Sequence, residues 1–385
     1  MRKILFIIPS NDIGGINSSL QSMLTHLALT FDVEVLTMSS SGSGQYELSG
    51  RRYKDVLLDA YYTNFDELSG CIKVVSIMVK IFKRIFLLLN LNIEQFIHKY
   101  VANKYQKCHR YDVVVGFSEG RATKLASWFK SVKRIAWIHC DYDRAIPLEV
   151  DETQLYKRFQ QIICVSKYTK DMFLKRYPSL ADITNYIYNL IDINRINSLS
   201  MQKPNDYRFN NNNFTIISVG RMDPVKRFTI IPKIAKYLLI NKCEFIWYII
   251  GGPSNEEYLR VKHEINKYNV EDNVILLGPM SNPYPYFKNA DLYVATSISE
   301  ACPMVFNEAM VCGVPVLSSD FGSAQEFIVE EQNGYVVPIE LMAKMLCKII
   351  DERNLYDDLR NNCTNIDLNV INQLAIDKID CLFSV

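Results

Sequence analysis

The sequence has no Cys-x-x-Cys pair, almost no net charge and no Gly-x-Gly-x-x-Gly fingerprint. Each absence removes a class of function. Ten cysteines are scattered from Cys71 to Cys381, so neither a structural zinc site nor a thioredoxin-like motif is indicated. Several stand inside apolar runs such as Ile162-Ile163-Cys164-Val165, and a reducing compartment accounts for them simply. A formal charge of +1 over 385 residues argues against nucleic acid as a partner. The missing glycine fingerprint argues against a nicotinamide-dependent oxidoreductase. The opening apolar run, Ile4–Ile8, is short and lacks a small-residue cleavage site, so it reads as a buried strand rather than a signal peptide. No short-period repeat is present.

What is present is an alternation. Short β-branched and aromatic runs, each followed by a polar turn and a helically spaced stretch, recur along the chain. They fall at 3–8, 32–37, 112–116, 134–139 and 161–165, then at 215–219, 245–250, 274–277, 291–295 and 314–318. This pattern predicts an α/β protein of two Rossmann-like, doubly wound domains with parallel sheets, facing each other across a cleft. The expected boundaries are 1–194 for the first domain, 195–213 for an aperiodic linker ending in four asparagines, and 214–370 for the second. Residues 371–385 have helical spacing and are expected to pack back on the first domain.

Residues 71–110 break the rhythm, being apolar with Lys73, Lys80, Lys83 and Arg84 interspersed. No uncharged window of about 18 residues exists there, so a transmembrane span is not expected. Two readings stand: a basic, apolar helix on an anionic membrane surface, or a core helix with a solvated basic face. The lysines do not segregate cleanly to one face in the sequence pattern, which favours the core helix.

In open parallel sheets ligands bind beyond the carboxyl ends of the strands, so the residues just after each run carry the chemistry. After the first comes Gly14-Gly15, which allows close backbone approach to a ligand ahead of a helix N-terminus; a purely structural turn explains the pair equally well. After the run 215–219 come Gly220-Arg221 and Lys226, a forked donor and a point charge suited to a diphosphate, or else two solvated cations beside a helix start. The densest cluster is Glu300, Pro303, Met304, Val305 and Glu308. Pro303 suits the first turn of a helix, which places Glu300 on the loop before it and Glu308 more than a turn inside. The helix tip offers N–H groups to phosphate oxygens, and a carboxylate in a helix can accept two hydrogen bonds from a vicinal diol such as a ribose. Asp141 and Asp143 form an Asp-x-Asp triplet, but far in sequence from this clamp, and no catalytic metal is expected.

With these residues the chain resembles the retaining glycosyltransferases of family four, the "glycosyl transferases group 1" type with the GT-B fold. The family's Glu-x7-Glu motif is matched by Glu300 and Glu308, and its Gly-Arg…Lys element by Gly220-Arg221 and Lys226. Gly251-Gly252, the run Val274–Gly278, Ala290-Asp291, Gly313–Val316 and Asn333-Gly334 agree as well. The match is specific over about 215–340 and only in outline before that, through Gly14-Gly15, Ile138-His139 and Val165-Ser166. The resemblance implies roles: Glu308 on the ribose, Arg221 and Lys226 on the diphosphate with N–H groups around Met304 and Val305, and Glu300 on the transferred sugar. It also implies that Gly14 and Gly15 let the first loop close on the phosphates, that Gly220 and Gly278 border the donor, and that His139 lies near the donor sugar. Ala301-Cys302 depart from the glycine-containing turn common in the family.

The activity implied is transfer of a hexose, from a UDP-sugar first and GDP-mannose second, to a glycan or lipid-linked acceptor in bacterial capsule or lipopolysaccharide assembly. The expected location is the cytoplasm, and the basic, apolar segment 71–110 leaves open a peripheral place at the inner face of the plasma membrane. No cofactor beyond the donor is implied. Two alternatives stay open: a sugar-nucleotide epimerase of the same fold, and a non-catalytic partner that keeps the fold without turnover.

Overall fold

The computed structural model describes every residue except 12–13, 41–48, 143–149, 207, 210–212, 253–254 and 385. The chain divides into two compact units, 1–190 with 375–385 and 191–374. Each is built on one parallel sheet.

In the first unit the strands are β1 (Lys3–Ser10), β2 (Asp32–Ser39), β3 (Arg51–Lys54), β4 (Val113–Gly116), β5 (Lys133–Ile138), β6 (Gln161–Cys164) and β7 (Thr184–Tyr186). Their order is β3-β2-β1-β4-β5-β6-β7, every pair parallel. The second unit holds β8 (Phe214–Val219), β9 (Phe245–Ile250), β10 (Val274–Gly278), β11 (Leu292–Ala295), β12 (Val316–Ser319) and β13 (Gly334–Val337), in the order β10-β9-β8-β11-β12-β13. Both are doubly wound α/β sheets, and each reverses direction beside its first strand, at β1/β4 and at β8/β11.

Central strands are apolar on both sides because helices cover both sheet faces. In β9, Tyr248 and Ile250 enter one hydrophobic cluster while Trp247 and Ile249 enter the other, the period-two alternation expected of a strand buried on two faces. The same division separates Ile217 from Ile216 in β8.

One expectation about the connections changes. The segment expected as an aperiodic linker opens with a helix, Ile193–Ser200, capped by the Asp192 carboxylate on the Arg195 N–H at 3.0 Å and burying Ile196. Its apolar spacing is short and is hidden among polar neighbours. The asparagine run 210–212 lies outside the described residues.

The helix Leu368–Ser384 belongs to both units. Leu368 is buried in the second, while Ile379 and Phe383 are buried in the first. The Phe383 ring packs 6.0 Å from Phe6 and 6.2 Å from Phe31. His26 meets Asp380 at 2.7 Å, and Lys133 donates to the Leu382 carbonyl at 2.6 Å.

Candidate functional site

The second sheet reverses direction between β8 and β11, and the residues that follow these two strands converge there. Gly220 follows β8, its N–H donating to the Ile250 carbonyl at 3.0 Å. A Cβ at Gly251 would stand 2.0 Å from the Gly220 carbonyl oxygen, so the ends of β8 and β9 approach more closely than any side chain allows. Gly278 closes β10 at a φ of 83°, a left-handed backbone that glycine adopts without strain.

Beyond Gly220 the chain makes a tight turn over Pro224–Lys226, started by the Asp223 carboxylate accepting from the Val225 N–H at 2.9 Å. Arg227 then takes the left-handed conformation at a φ of 52°. The Thr296 hydroxyl holds this turn, donating to the Lys226 carbonyl at 2.8 Å, and the Ile298 N–H donates to Val225 at 2.8 Å. The turn folds the Lys226 stem back over Gly220, where a Cβ would stand 3.0 Å from Lys226 Cε.

There the ammonium meets Glu300. Lys226 Nζ lies 2.5 Å from Glu300 Oε1, which also accepts from the Ser297 hydroxyl at 2.7 Å. Glu300 Oε2 has no hydrogen-bond partner among the described residues. The backbone around Glu300 is fixed by Ser323, whose hydroxyl donates to the Glu300 carbonyl at 2.7 Å, and by Ser319, which donates to Ser297 at 2.6 Å. Both side chains of the ion pair keep 18% of their surface exposed, so the pair can exchange partners with a ligand. Arg221 is exposed and makes no hydrogen bond or ion pair among the described residues.

The helix Met304–Val311 follows, and its open N–H groups begin at Met304 and Val305. Pro303 stands one residue ahead of the helix rather than in its first turn, with a ψ of 90°. That extended backbone directs the chain out of the Ser299–Cys302 loop. Glu308 lies more than a turn inside, between buried Asn307 and Ala309. Desolvation pushes its carboxyl up to about 7, against the opposing pull of a hydrogen bond from the Tyr284 hydroxyl at 3.3 Å and the positive fields of Arg195 and Lys226. The surroundings therefore disfavour the charged form of this carboxyl. Tyr284 and Arg195 were not singled out in the sequence: one follows Asn282-Pro283 in a stretch that reads as loop, and the other sits in the presumed linker.

In the first unit, Gly14 precedes and Gly15 opens the helix Gly15–Leu27 after β1, at that sheet's own reversal point. Asp12 and Ile13 of the same loop lie outside the described residues. His139 directly follows β5, its ring 4.5 Å from Phe117. Burial lowers its pKa to about 3, so the imidazole is neutral, and its Nε2 is buried with no partner among the described residues. The His139 N–H donates to Glu119 Oε2 at 2.9 Å, and burial raises that carboxyl. Glu119 was missed, although it stands three residues beyond the end of β4, where ligand-facing residues are expected. Asp141 accepts from the Tyr168 hydroxyl at 3.2 Å; its triplet partner Asp143 lies outside the described residues. Among the described residues no three His, Cys, Asp or Glu side chains are grouped to hold a metal.

Two family models match the chain: "Glycosyltransferase Family 4" over residues 13–195 and "Glycosyl transferases group 1" over 201–366. One curated relative is the UDP-Gal:alpha-D-GlcNAc-diphosphoundecaprenol alpha-1,3-galactosyltransferase of Escherichia coli, 25% identical over 178 residues, 45% of this chain and 46% of the relative. The chain spans about half the length of the curated relatives it matches. Among solved structures, sucrose-phosphate synthase from Thermosynechococcus elongatus superimposes with a TM-score of 0.72 at 17% identity, covering all of both chains. Anabaena HepE in complex with UDP and glucose superimposes with a TM-score of 0.70 at 18% identity, covering 99% of this chain and 100% of the other. At such identities these likenesses establish the fold, which is GT-B.

Proposed function

The chain belongs to the family-four, group 1 glycosyltransferases, and on that premise we propose that it transfers a hexose from a nucleotide-diphosphate sugar, UDP-linked by preference, to a glycan or lipid-linked acceptor with retention at the anomeric carbon. The observation that carries this reading is the Lys226–Glu300 ion pair at the β8/β11 reversal, next to a helix that carries the desolvated Glu308. A cation, a carboxylate beside it and a second carboxylate held in a helix suit the diphosphate, the sugar and the ribose diol of such a donor.

Glu308 accepts the ribose hydroxyls in its ionised form, which replaces lost water with two charge-assisted hydrogen bonds. The diphosphate draws Lys226 and Arg221 and sits against the N–H groups of Met304 and Val305. Glu300 turns its unused Oε2 toward a hydroxyl of the donor sugar. As the anomeric C–O bond breaks, its electron pair leaves with the diphosphate, and these cations stabilise the charge that develops there. The acceptor oxygen bonds to the anomeric carbon on the same face, and its proton passes to the departing phosphate oxygen. His139, neutral at working pH, serves as a hydrogen-bonding group to the donor sugar and not as a charge. No metal takes part in this scheme.

The named relative uses UDP-galactose and a diphosphoundecaprenol-linked acceptor, which supports the choice of UDP and of a lipid-linked acceptor at the inner face of the plasma membrane. The test is thermal stabilisation by UDP, GDP and their sugars in the presence of EDTA, compared between wild type and Glu308→Ala. Stabilisation by one nucleotide in the wild type alone is expected. If no nucleotide stabilises the protein, the donor site is misassigned.

A further inference from the structure

We infer that the helix Gly70–Leu88 and the leucine-rich turn after it form a face that lies on an anionic lipid bilayer. The inference concerns attachment and is independent of the transfer chemistry, although a lipid-linked acceptor would give it a purpose.

This helix is apolar on two opposite sides. One side, through Ile72, Val75, Val79 and Phe86, packs on the core of the first unit. The other carries Val74, Ile77, Met78, Ile81, Ile85 and Leu88, whose spacing aligns them in a single stripe. All six are exposed, from 43% at Ile85 to 86% at Leu88. A helix on the surface of a globular protein ordinarily needs only the first stripe. The second extends about 21 Å from Val74 to Leu88. It continues into the turn at Asn90, where Leu87, Leu89 and Leu91 are also exposed. No helix among the described residues is long and apolar enough to cross a membrane, so the stripe would lie along a surface.

Charge identifies the occupant. There is no acidic residue between Glu67 and Glu94, while Lys73, Lys80, Lys83 and Arg84 fall in that interval. Lys83 stands apart against Tyr61, but the other three share one flank. Lys73, Lys80 and Arg84 stand at i, i+7 and i+11 beside the exposed stripe. The ammonium groups of Lys73 and Lys80 lie 4.6 and 4.1 Å from the Phe65 ring centroid, which orients these two. An apolar stripe edged by cations fits acyl chains edged by anionic headgroups, with the lysine stems lying along the boundary. The cores of protein–protein interfaces, by contrast, are depleted in lysine.

Co-sedimentation of the full chain with vesicles of phosphatidylglycerol and phosphatidylethanolamine, against vesicles of phosphatidylcholine, tests this. Binding to the anionic vesicles alone is expected, weakened by about 0.5 M salt as screening shortens the reach of the cations. The exposed-face variant Ile77→Ser/Ile81→Ser/Ile85→Ser and the flank variant Lys73→Gln/Lys80→Gln/Arg84→Gln should each lower the partition coefficient at least tenfold. A separate Ile81→Trp variant should blue-shift its added fluorescence on anionic vesicles. UDP stabilisation, measured on the same samples, should survive in all of them, which separates loss of attachment from loss of the donor site or of the fold. Failure of the wild type to bind anionic vesicles overturns the inference. So does a soluble dimer that the serine variant dissociates, since the stripe would then cover a second copy of the chain.

Discussion

Glu308→Gln should make the ligand-free protein more stable while weakening its affinity for nucleotide. Burial raises the Glu308 carboxyl from an ordinary 4.5 to about 7, so between those values the folded protein binds a proton that the unfolded chain releases. The contribution of this group to stability therefore falls as pH rises through that window and levels off above about pH 7. At pH 8 the ionised carboxylate costs roughly 3 kcal/mol relative to its neutral form, and at pH 5 less than about 1 kcal/mol. Glutamine has nearly the same shape, carries no charge and keeps an acceptor for the Tyr284 hydroxyl. It should recover about 1–3 kcal/mol at pH 8, several degrees in melting temperature for a unit of this size, and little at pH 5. The same change leaves the ribose hydroxyls without a charged acceptor and should weaken UDP binding at least tenfold. Calorimetric melts of wild type and variant at both pH values, with and without UDP, measure the gain at each pH and the loss of UDP binding. A variant that is no more stable at pH 8, or whose gain is equal at pH 5, refutes the desolvated-carboxylate account of this site.

Lys226→Met should reduce UDP affinity by about 10- to 100-fold in titration calorimetry, because it removes a charge-assisted contact and leaves Glu300 without its cation; a change below about threefold would mean that Lys226 serves the Glu300 loop alone. Gly251→Ala should destabilise the second unit by more than about 2 kcal/mol in urea unfolding, since its Cβ would stand 2.0 Å from the Gly220 oxygen and the strand ends would have to part. The imidazole resonances of His139 should not titrate between about pH 5 and 8, its pKa being held near 3 by burial, and a midpoint near neutrality would show that its pocket admits water.

The central strands were legible because burial on both faces leaves an unbroken apolar run, as in Ile4–Ile8 and Phe245–Ile250. The strands not anticipated are all at sheet edges: β3, β7 and β13. An edge strand pairs on one side only and need not be apolar; β3 reads Arg-Arg-Tyr-Lys. That Gly220, Lys226, Glu300 and Glu308 would gather near the β8/β11 reversal was legible in the same way, since they follow strand ends within one continuous, regular stretch. That Lys226 and Glu300 would bond directly was not, because the contact depends on a left-handed turn at Arg227, a residue type with no preference for that conformation. Tyr284 and Arg195 act on Glu308 from distant segments, and nothing in their local sequence marks them.

The helix Leu368–Ser384 places the first unit at both ends of the chain, with the whole of the second unit between them. During synthesis residues 1–190 therefore leave the ribosome without the Phe383 ring that packs on Phe6 and Phe31. The second unit is translated in full before Ile379 and Phe383 exist to close the first. The usual order, in which the leading domain is finished first, is reversed here. From the completion of β7 until Phe383 is made, roughly half of the synthesis, Phe6 and Phe31 stand without that partner.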